Sequence, residues 1–498
     1  MRTPQTALCN VDQLRSLEQG EIAAGRSGQV LMESAGRAAF RVLRQRWPRA
    51  QYITVYCGRG NNGGDGYVLA RLASLCGLPV RLVSLGTATT PEARAAEQGA
   101  LSVGLIPEPH SQTLLKETEV VVDALLGIGA SGNLREPLAS IVADINQSGG
   151  ACLALDIPSG LNADTGAPLG SAVSADVTVT FIRNKPGLIT GQGVDYAGEV
   201  VIEDLQVSEE SNGAVKVLQP WGFRISESWV RQIMPVRPNS AHKGVAGYLL
   251  VVGGGPGMAG APVLAGCAAL RMGSGRVSIA CHPDSRSAAA ARCPELMVNG
   301  VTSPSELTGL LEGVDVVVVG PGLGQTVWAR EMYSVCRDAE VRKVVDADGL
   351  NLLAQSPKRL NGSLLTPHPG EAARLAGLSV REVQATRPII AENLASQFDA
   401  TCVLKGAGTL VAKGDHPVMA CDRGHSGMAA PGMGDVLSGV IGALWAQGVS
   451  EYEAAGAGVW LHAVAAERAG AAAGAFGMCA SDLNPFLREL RSEMSVGE

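Results

Sequence analysis

Two stretches of the chain concentrate glycines and side chains that could bind phosphate and move protons. The denser one runs Gly424-His425-Ser426-Gly427-Met428-Ala429-Ala430-Pro431-Gly432-Met433-Gly434-Asp435-Val436-Leu437-Ser438-Gly439. Gly432 and Gly434 leave backbone N–H groups open to an anion at the start of an apolar helix, with Asp435 in its first turn. An aspartate there suits a base that takes a proton from a hydroxyl as that oxygen attacks phosphorus. The N–H groups then stabilise charge on the phosphoryl group in transfer. The bland alternative is a first-turn acid favoured by the helix dipole, and the glycine density favours chemistry. Lys405-Gly406-Ala407-Gly408-Thr409 adds a cation, a pliant backbone and a hydroxyl for nucleotide phosphates. Gly320-Pro321-Gly322-Leu323-Gly324 closes another strand, and Thr366-Pro367-His368-Pro369-Gly370-Glu371 presents His368 and Glu371 beside two prolines. Gly255–Gly260 has G-x-G-x-x-G spacing, but it contains Pro256 and its acidic partner Asp284 comes late. It reads as a substrate-side loop, not a dinucleotide fingerprint.

The other stretch is Gly58-Arg59-Gly60-Asn61-Asn62-Gly63-Gly64-Asp65-Gly66, between a strand and a helix expected from Gly66. Glycines there let the backbone approach a ligand and aim N–H groups at an anion, aided by the helix dipole. A turn that merely needs positive φ would be less polar. Asp123 ends a second strand before the loop Gly127–Asn133, and Asp156 ends a third before Pro158–Gly166. Each alone could cap a helix. Together, on adjacent strands facing a phosphate loop, they point to an acid–base or cation site.

Parallel strands wrapped by helices must hold these loops, because ligands bind at the carboxyl ends of such strands. The expected strands are Tyr52–Cys57, Val80–Leu85, Val120–Ala124, Cys152–Ile157 and Asp176–Phe181 in the first half. In the second half they are Tyr248–Gly253, Arg276–Ala280, Val314–Gly320, Lys343–Asp346, Leu364–Thr366 and Thr401–Leu404. Helices are expected at Gly66–Cys76 and Asp435–Gln447, among others. The series breaks in the polar segment around VSEESNGAVKVLQPWG, which sets domains of 1–218 and 219–498. No repeat relates the two halves.

Composition agrees with this organisation. The chain has 498 residues, 46% hydrophobic and 17% charged, enough for large cores and more than one domain. Net charge is −7 and no basic aromatic-interleaved patch occurs, which excludes a nucleic-acid partner. The 11 cysteines are scattered without a C-x-x-C pair, which suits reduced thiols rather than a disulfide framework or a structural zinc. The first ten residues hold no apolar signal core, and Ala454–Ala475, interrupted by His462, Glu467 and Arg468, reads as a buried helix. A cytoplasmic protein is expected, with exposed sheet edges favouring a homo-oligomer.

The ordered strings CGRGNNGGDG, VDALLGIG and DIPSGLNADTG, with Ala175–Phe181 and Lys185, resemble the NAD(P)H-hydrate epimerase family. The resemblance spans about residues 13–215, including an early helix with Met32–Gly36. It implies that Asn61, Asn62, Gly63, Gly64 and Asp65 hold the hydrated nucleotide together with Gly127, Ile128, Gly129, Ala130, Ser131, Gly132 and Asn133. It also implies a potassium ion shared by Asn62, Asp123 and Ser159, and substrate contact by Asp156. The hydrate is a hemiaminal, and inverting its carbon requires proton transfer while a C–O or C–N bond opens. Asp156 is expected to serve as that acid or base.

The second half resembles the ribokinase-like fold and, within it, the ADP-dependent NAD(P)H-hydrate dehydratase family. The matching strings are His242-Lys243-Gly244, LLVVGGG, GPGLG, DADGLN, LTPHPGE, LKGAGTLVA and GMGDVLSG, over about residues 230–490. By this resemblance Lys405, Gly406, Ala407, Gly408, Thr409 and Gly434 bind ADP or AMP. Ala261, Gly324, His368 and Asp435 meet the hydrate, and magnesium bridges the nucleotide phosphates. Ala430 stands where relatives commonly carry Thr or Ser, so any hydroxyl contact there is lost or replaced. The expectation is an α/β chain: an N-terminal Rossmann-like three-layer αβα domain and a C-terminal ribokinase-like αβα domain. Together they would repair hydrated NADH and NADPH by epimerisation and ADP-dependent dehydration. The alternative is a ribokinase-like vitamin or sugar kinase fused to a nucleotide-binding module, which would need neither LTPHPGE nor an intact first site.

Overall fold

A computed structural model of the chain describes residues 6–112, 119–207, 219–240 and 242–495. The chain divides between Phe223 and Arg224 into two compact units. The expected boundary at residue 218 lies outside the described residues.

The two-residue strand β1 (Ala7–Leu8) pairs antiparallel with β9 (Gly222–Arg224), within which the division falls, with Ala7 opposite Phe223. The main sheet of the first unit comprises β2 (Ile53–Cys57), β3 (Val80–Ser84), β4 (Pro107–Glu108), β5 (Val120–Ala124), β6 (Ala151–Leu155), β7 (Val177–Phe181) and β8 (Glu199–Glu203). Its order is β4-β3-β2-β5-β6-β7-β8, and its paired strands run parallel. Every residue of β2, β5 and β7 is buried, as expected of strands covered on both faces. One face packs under the Gly28–Arg46 and Asn61–Leu75 helices through Leu31, Ala39, Leu43, Val68 and Leu69. The other packs under the Leu138–Gln147 helix through Ile141, Val142 and Ile145. The strand order reverses between β2 and β5, and such a switch point opens a crevice at the strands' carboxyl ends. Gly58 and Leu125 begin just there.

Two sequence expectations change in this unit. The helix expected from Gly66 begins at Asn61, with Gly60 as its N-cap, so the Asn/Gly string is helical rather than a loop. Its glycines are tight packing positions: a Cβ on Gly63 would lie 2.0 Å from the Gly58 carbonyl oxygen, and one on Gly66 2.6 Å from the Ala124 Cβ. Close packing repays glycine's poor helix propensity. The edge strand β8 was not anticipated, because its residues are only partly buried and Glu199 and Glu203 bound it.

The second unit holds β10 (Tyr248–Val252), β11 (Arg276–Cys281), β12 (Met297–Gly300), β13 (Val316–Val319), β14 (Arg342–Val345), β15 (Ser363–Leu365), β16 (Ala400–Leu404), β17 (Thr409–Ala412) and β18 (Val418–Cys421). They follow the order β18-β17-β16-β15-β14-β13-β10-β11-β12. Pairings from β16 to β12 are parallel, but β16–β17 and β17–β18 are antiparallel. The purely parallel sheet expected from the sequence is therefore corrected at this edge. The cause is Lys405–Gly408: Gly406 at φ +137° and Gly408 at +59° reverse the chain into a hairpin. The Met433–Ala446 helix lies against β10 and β13 and is buried along nearly its whole length. The Glu451–Ala473 helix, which includes His462, packs on it as the buried helix expected. No helix among the described residues is long and apolar enough to cross a membrane.

Candidate active sites

The switch point of the first unit opens into a cleft of about 840 Å³ lined by Gly58, Arg59, Gly60, Asn61, Asn62, Asp65, Gly127, Ile128, Gly129, Ala130, Asp156 and Lys185. Asp156 follows β6 at φ +66°, a strained conformation for a residue with a Cβ. Its surroundings hold it there. The Asp156 N–H donates to the Val179 carbonyl (2.7 Å), and its Oδ1 accepts from Lys185 Nζ (2.6 Å) and the Phe181 N–H (3.3 Å). Lys185 is 1% exposed and also donates to Thr180 Oγ1 (2.7 Å) and the Phe181 carbonyl (2.9 Å), so its three protons are all engaged. Asp65 faces the same cleft, and burial first, then the charges of Asp156 and Glu18, push its carboxyl well up against the pull of Lys185.

Beneath the cleft floor lies a second polar knot. Ser159 Oγ donates to Asp123 Oδ1 (2.6 Å), the Ser159 N–H to Asp123 Oδ2 (2.7 Å), and the Leu126 N–H to Ser159 Oγ (2.8 Å). Asn62 Nδ2 donates to the Leu126 carbonyl (2.9 Å), while Asn62 Oδ1 is buried without a hydrogen-bond partner. Burial raises Asp123 to about 6 despite the hydrogen bonds from Ser159 and Leu125 that favour its charged form. An orphaned amide oxygen next to a buried carboxylate is a polar deficit that a cation would relieve. Among the described residues no group of three or more His, Cys, Asp or Glu is placed to hold a metal. The knot offers amide, hydroxyl, carbonyl and carboxylate oxygens instead, a donor set for a hard cation.

The other expected nucleotide residues of this unit separate. Gly127–Ala130 form cleft wall. Gly63 faces Gly58, and a Cβ on Gly64 would meet the Met32 methyl at 2.5 Å. Ser131 and Gly132 carry the loop onward, and Asn133 lies against Gly170, 3.8 Å from a Cβ placed there.

In the second unit the groups converge on Lys405. Its Nζ lies 2.8 Å from Asp346 Oδ1 and 3.8 Å from Glu371 Oε2, and 3.1 Å from a Cβ placed on Gly434. Gly432 caps the Met433–Ala446 helix at φ +88°, which sets Asp435 in its first turn, where the Lys405 ammonium and the Asp346 carboxylate act on it. Burial, then Asp346, raise Asp435 to about 8, with Lys405 opposing. Burial raises Glu371 to about 7, again against Lys405. Burial disfavours the charge on Lys405, yet Asp346 and Glu371 outweigh it and hold the lysine above its ordinary value. Asp346 Oδ2, like Asn62 Oδ1, is buried without a partner.

The remaining expected residues surround this cluster. His368 caps the Pro369–Ala376 helix: its Nδ1 accepts from the Gly370 N–H (2.9 Å), and its backbone N–H donates to Glu371 Oε2 (2.8 Å). Burial and the nearby Lys405 and Arg374 hold its pKa below the usual histidine value. The Gly324 N–H donates to Asp348 Oδ2 (2.8 Å), and Ala261 lies 3.0 Å from a Cβ placed on Gly322. Gly406 and Ala407 are exposed at the hairpin tip, and Thr409 Oγ1 donates to the Gly406 carbonyl (2.9 Å). Ala430 is partly buried on the approach to the helix.

Sequence reasoning gave no role to four residues that the sites use. Asp346 directly follows β14 within DADGLN, and an acid at a strand end was an available signal. Arg387 is fully buried and donates to the carbonyls of Leu404 (3.2 Å), Lys405 (3.2 Å) and Gly408 (3.4 Å), which fixes the hairpin. Lys185 stood near a recognisable string without a partner. Glu18 reaches the first cleft from the Val11–Ala23 helix, and nothing local announces it.

Comparison with known proteins bears on both sites. The family model described as NAD(P)H-hydrate dehydratase matches residues 249–488, and that for the YjeF-related protein N-terminus matches residues 28–187. The bifunctional NAD(P)H-hydrate repair enzyme Nnr of Coxiella burnetii is 45% identical over 493 residues, covering 97% of this chain and 99% of its own length. A crystal structure of the ADP/ATP-dependent NAD(P)H-hydrate dehydratase from Bacillus subtilis, co-crystallised with ATP and Mg2+, aligns with a TM-score of 0.50 at 30% identity. It covers 54% of this chain and 97% of that one. A ribokinase-like superfamily protein from Enterococcus faecalis aligns with a TM-score of 0.52 at 23% identity over 57% of this chain and 99% of its own, a likeness of fold.

Proposed function

The chain belongs to the bifunctional NAD(P)H-hydrate repair enzymes, and from that premise we propose that residues 1–218 are its epimerase domain and 219–498 its ADP-dependent dehydratase domain. The reaction pair is interconversion of the R and S hydrates of NADH and NADPH, followed by dehydration of the S hydrate to NAD(P)H with release of AMP and phosphate. The observation that carries this reading is Asp435 at the start of a buried helix, beside Lys405 and Gly434. That is the arrangement a hydroxyl acceptor and a nucleotide phosphate both require. A plain vitamin or sugar kinase gives way, because residues 249–488 match the dehydratase family.

In the dehydratase site Asp435 takes the proton of the ring hydroxyl as that oxygen attacks the terminal phosphorus of ADP. The bond from that phosphorus to the AMP oxygen breaks, with the Lys405 side chain and the backbone of Gly406–Thr409 and Gly434 meeting the phosphate charge. Phosphate then leaves as the ring nitrogen lone pair forms an iminium, and loss of a neighbouring proton restores the dihydronicotinamide. Ala261, Gly324 and His368 orient the hydrate. Asp346 and Glu371 fit magnesium, given the unpartnered Asp346 Oδ2, and the ion when bound supplies positive charge to the nucleotide phosphates.

In the epimerase site Asn61, Asn62, Asp65 and Gly127–Ala130 hold the nucleotide, with Gly63 and Gly64 packing behind them, and Asp156 exchanges a proton with the hemiaminal hydroxyl. Asn62, Asp123 and Ser159 fit potassium, which would supply the charge that Asn62 Oδ1 and Asp123 lack. The free cysteines suit work in a reducing cytoplasm.

The test supplies the purified chain with a mixture of both hydrate epimers and either ADP or ATP, and follows each epimer by chromatography. Both epimers should disappear, with AMP and phosphate released from ADP in step with NAD(P)H. Consumption of the S hydrate alone would remove the epimerase from this account.

A further inference from the structure

The Val11–Ala23 helix carries no part of the motifs above, yet it forms one wall of the epimerase cleft. Leu14, Arg15, Glu18 and Ile22 all line that cleft, and their spacing of one, three and four residues defines a single helix face. The helix is firmly seated. Asn10 and Gln13 form a capping box, the Val11 N–H donates to Asp164 Oδ1 (2.9 Å), and Leu14 is buried. Arg15 extends over the glycine loop, its Nη2 3.6 Å from a Cβ placed on Gly129. A rigid helix therefore holds a carboxyl in the same cleft as Asp156.

The charge balance of the cleft is uneven. Glu18, Asp65, Glu92 and Asp156 all line it, and its buried cation, Lys185, has its three protons engaged by Asp156, Thr180 and the Phe181 carbonyl. Arg15 and Arg59 line it too, Arg15 in exposed contact with Asp12 at 3.8 Å and Arg59 Nε donating to the Thr87 carbonyl (3.3 Å). Asp156 thus has a counter-ion, whereas Glu18 is half-buried among other acids.

We propose that Glu18 is the second acid–base group of the epimerase site, working across the cleft from Asp156. The proposal rests on the epimerase reading given above. Asp156 takes the hydroxyl proton of the hemiaminal, a C=O bond forms, and the bond from that carbon to the ring nitrogen breaks. The electron pair goes to the nitrogen, which receives the proton that Glu18 held. After the freed aldehyde turns over, nitrogen attacks its other face, returns its proton to Glu18, and Asp156 gives its proton back to the oxygen. No atom or electron is gained or lost, and only the configuration changes. Burial raises the Glu18 carboxyl, and Asp156 and Glu92 raise it further against Arg15, so Glu18 is suited to hold a proton while Asp156 is ion-paired.

The experiment measures exchange between the R and S hydrates by the full-length chain, without ADP, across a pH series, for the wild type, Glu18→Gln and Glu18→Asp. Glu18→Gln should lower kcat about 10²-fold or more with KM within about twofold, and should lose the descending limb at high pH. Glu18→Asp should retain that limb at an intermediate kcat. Glu18→Gln with wild-type kcat, or with a defect confined to KM, would overturn the assignment. If Glu18→Gln melts early, Glu18→Asp alone decides, and a profile without the descending limb overturns it. A wild type that exchanges no epimers overturns the epimerase reading itself, an outcome distinct from a normal Glu18→Gln.

Discussion

Each site is built around one lysine, but the two lysines stand in opposite positions. Lys185 is saturated: one carboxylate, one hydroxyl and one carbonyl take its three protons. Lys405 is shared, bonded to Asp346, near Glu371 and acting on Asp435. The first arrangement fixes a single carboxylate in a strained place and leaves proton exchange to it and its neighbours. The second gathers more carboxyl groups than one ammonium can balance, so on the proposed reading magnesium and a nucleotide would complete it. Proton shuffling needs a fixed geometry, and phosphoryl transfer needs an electrostatic vacancy.

That contrast breaks most readily at Asp435. Asp435→Ala should lower ADP-dependent recovery of NAD(P)H about 10²–10⁴-fold while epimer exchange continues unchanged, measured by absorbance and chromatography on one preparation. Lys405→Met comes next. It leaves Asp346 and Glu371 buried without their counter-charge, at a cost of about 3–5 kcal/mol, read as a lowered midpoint in urea. Magnesium should recover more of this loss than potassium does. Gly63→Ala probes the close packing that holds the first site. A Cβ there meets the Gly58 carbonyl, so the loss should be about 1–3 kcal/mol by thermal melting.

The acid dependence sharpens the comparison further. If Asp435 acts as base, kcat/KM for dehydration should rise with pH and level off above about 8, the value to which burial raises that carboxyl. The linkage to stability has the same cause. The folded chain holds the Asp435 proton up to about 8, while an unfolded aspartate releases it near about 3.9, so this group's contribution falls as pH rises between those values. Asp435→Asn should therefore be inactive yet melt slightly higher than the wild type at pH 8, the smallest effect of the series.

Much of this was legible in the sequence, because strands with β-branched residues end in conspicuous glycine and acid loops. Asp123, Asp156 and Lys405 stand at the ends of such strands, and Asp435 opens a glycine-led helix. The start of the Asn61–Leu75 helix was not legible. Glycine strings look the same whether they turn a loop or let a helix touch its neighbour, and only Gly58 and Ala124 across the gap decide. Arg387 and Glu18 were hidden for a related reason: each acts on loops distant in sequence, from a helix without a motif. The hairpin at Lys405–Gly408 reads as a phosphate loop but not as a reversal of the sheet, since β17 and β18 have 4 residues each and, almost wholly buried, show no alternation.

The central claim is that two independent bases on one chain divide the repair. The direct test gives a mixture of R and S hydrates with ADP to Asp156→Asn and to Asp435→Ala, and follows both epimers in time. Asp156→Asn should consume the S hydrate and leave the R hydrate at its slow uncatalysed rate, whereas Asp435→Ala should equilibrate the epimers and yield no NAD(P)H. Loss of both activities in either variant, or full consumption of both epimers by Asp156→Asn, would contradict the account.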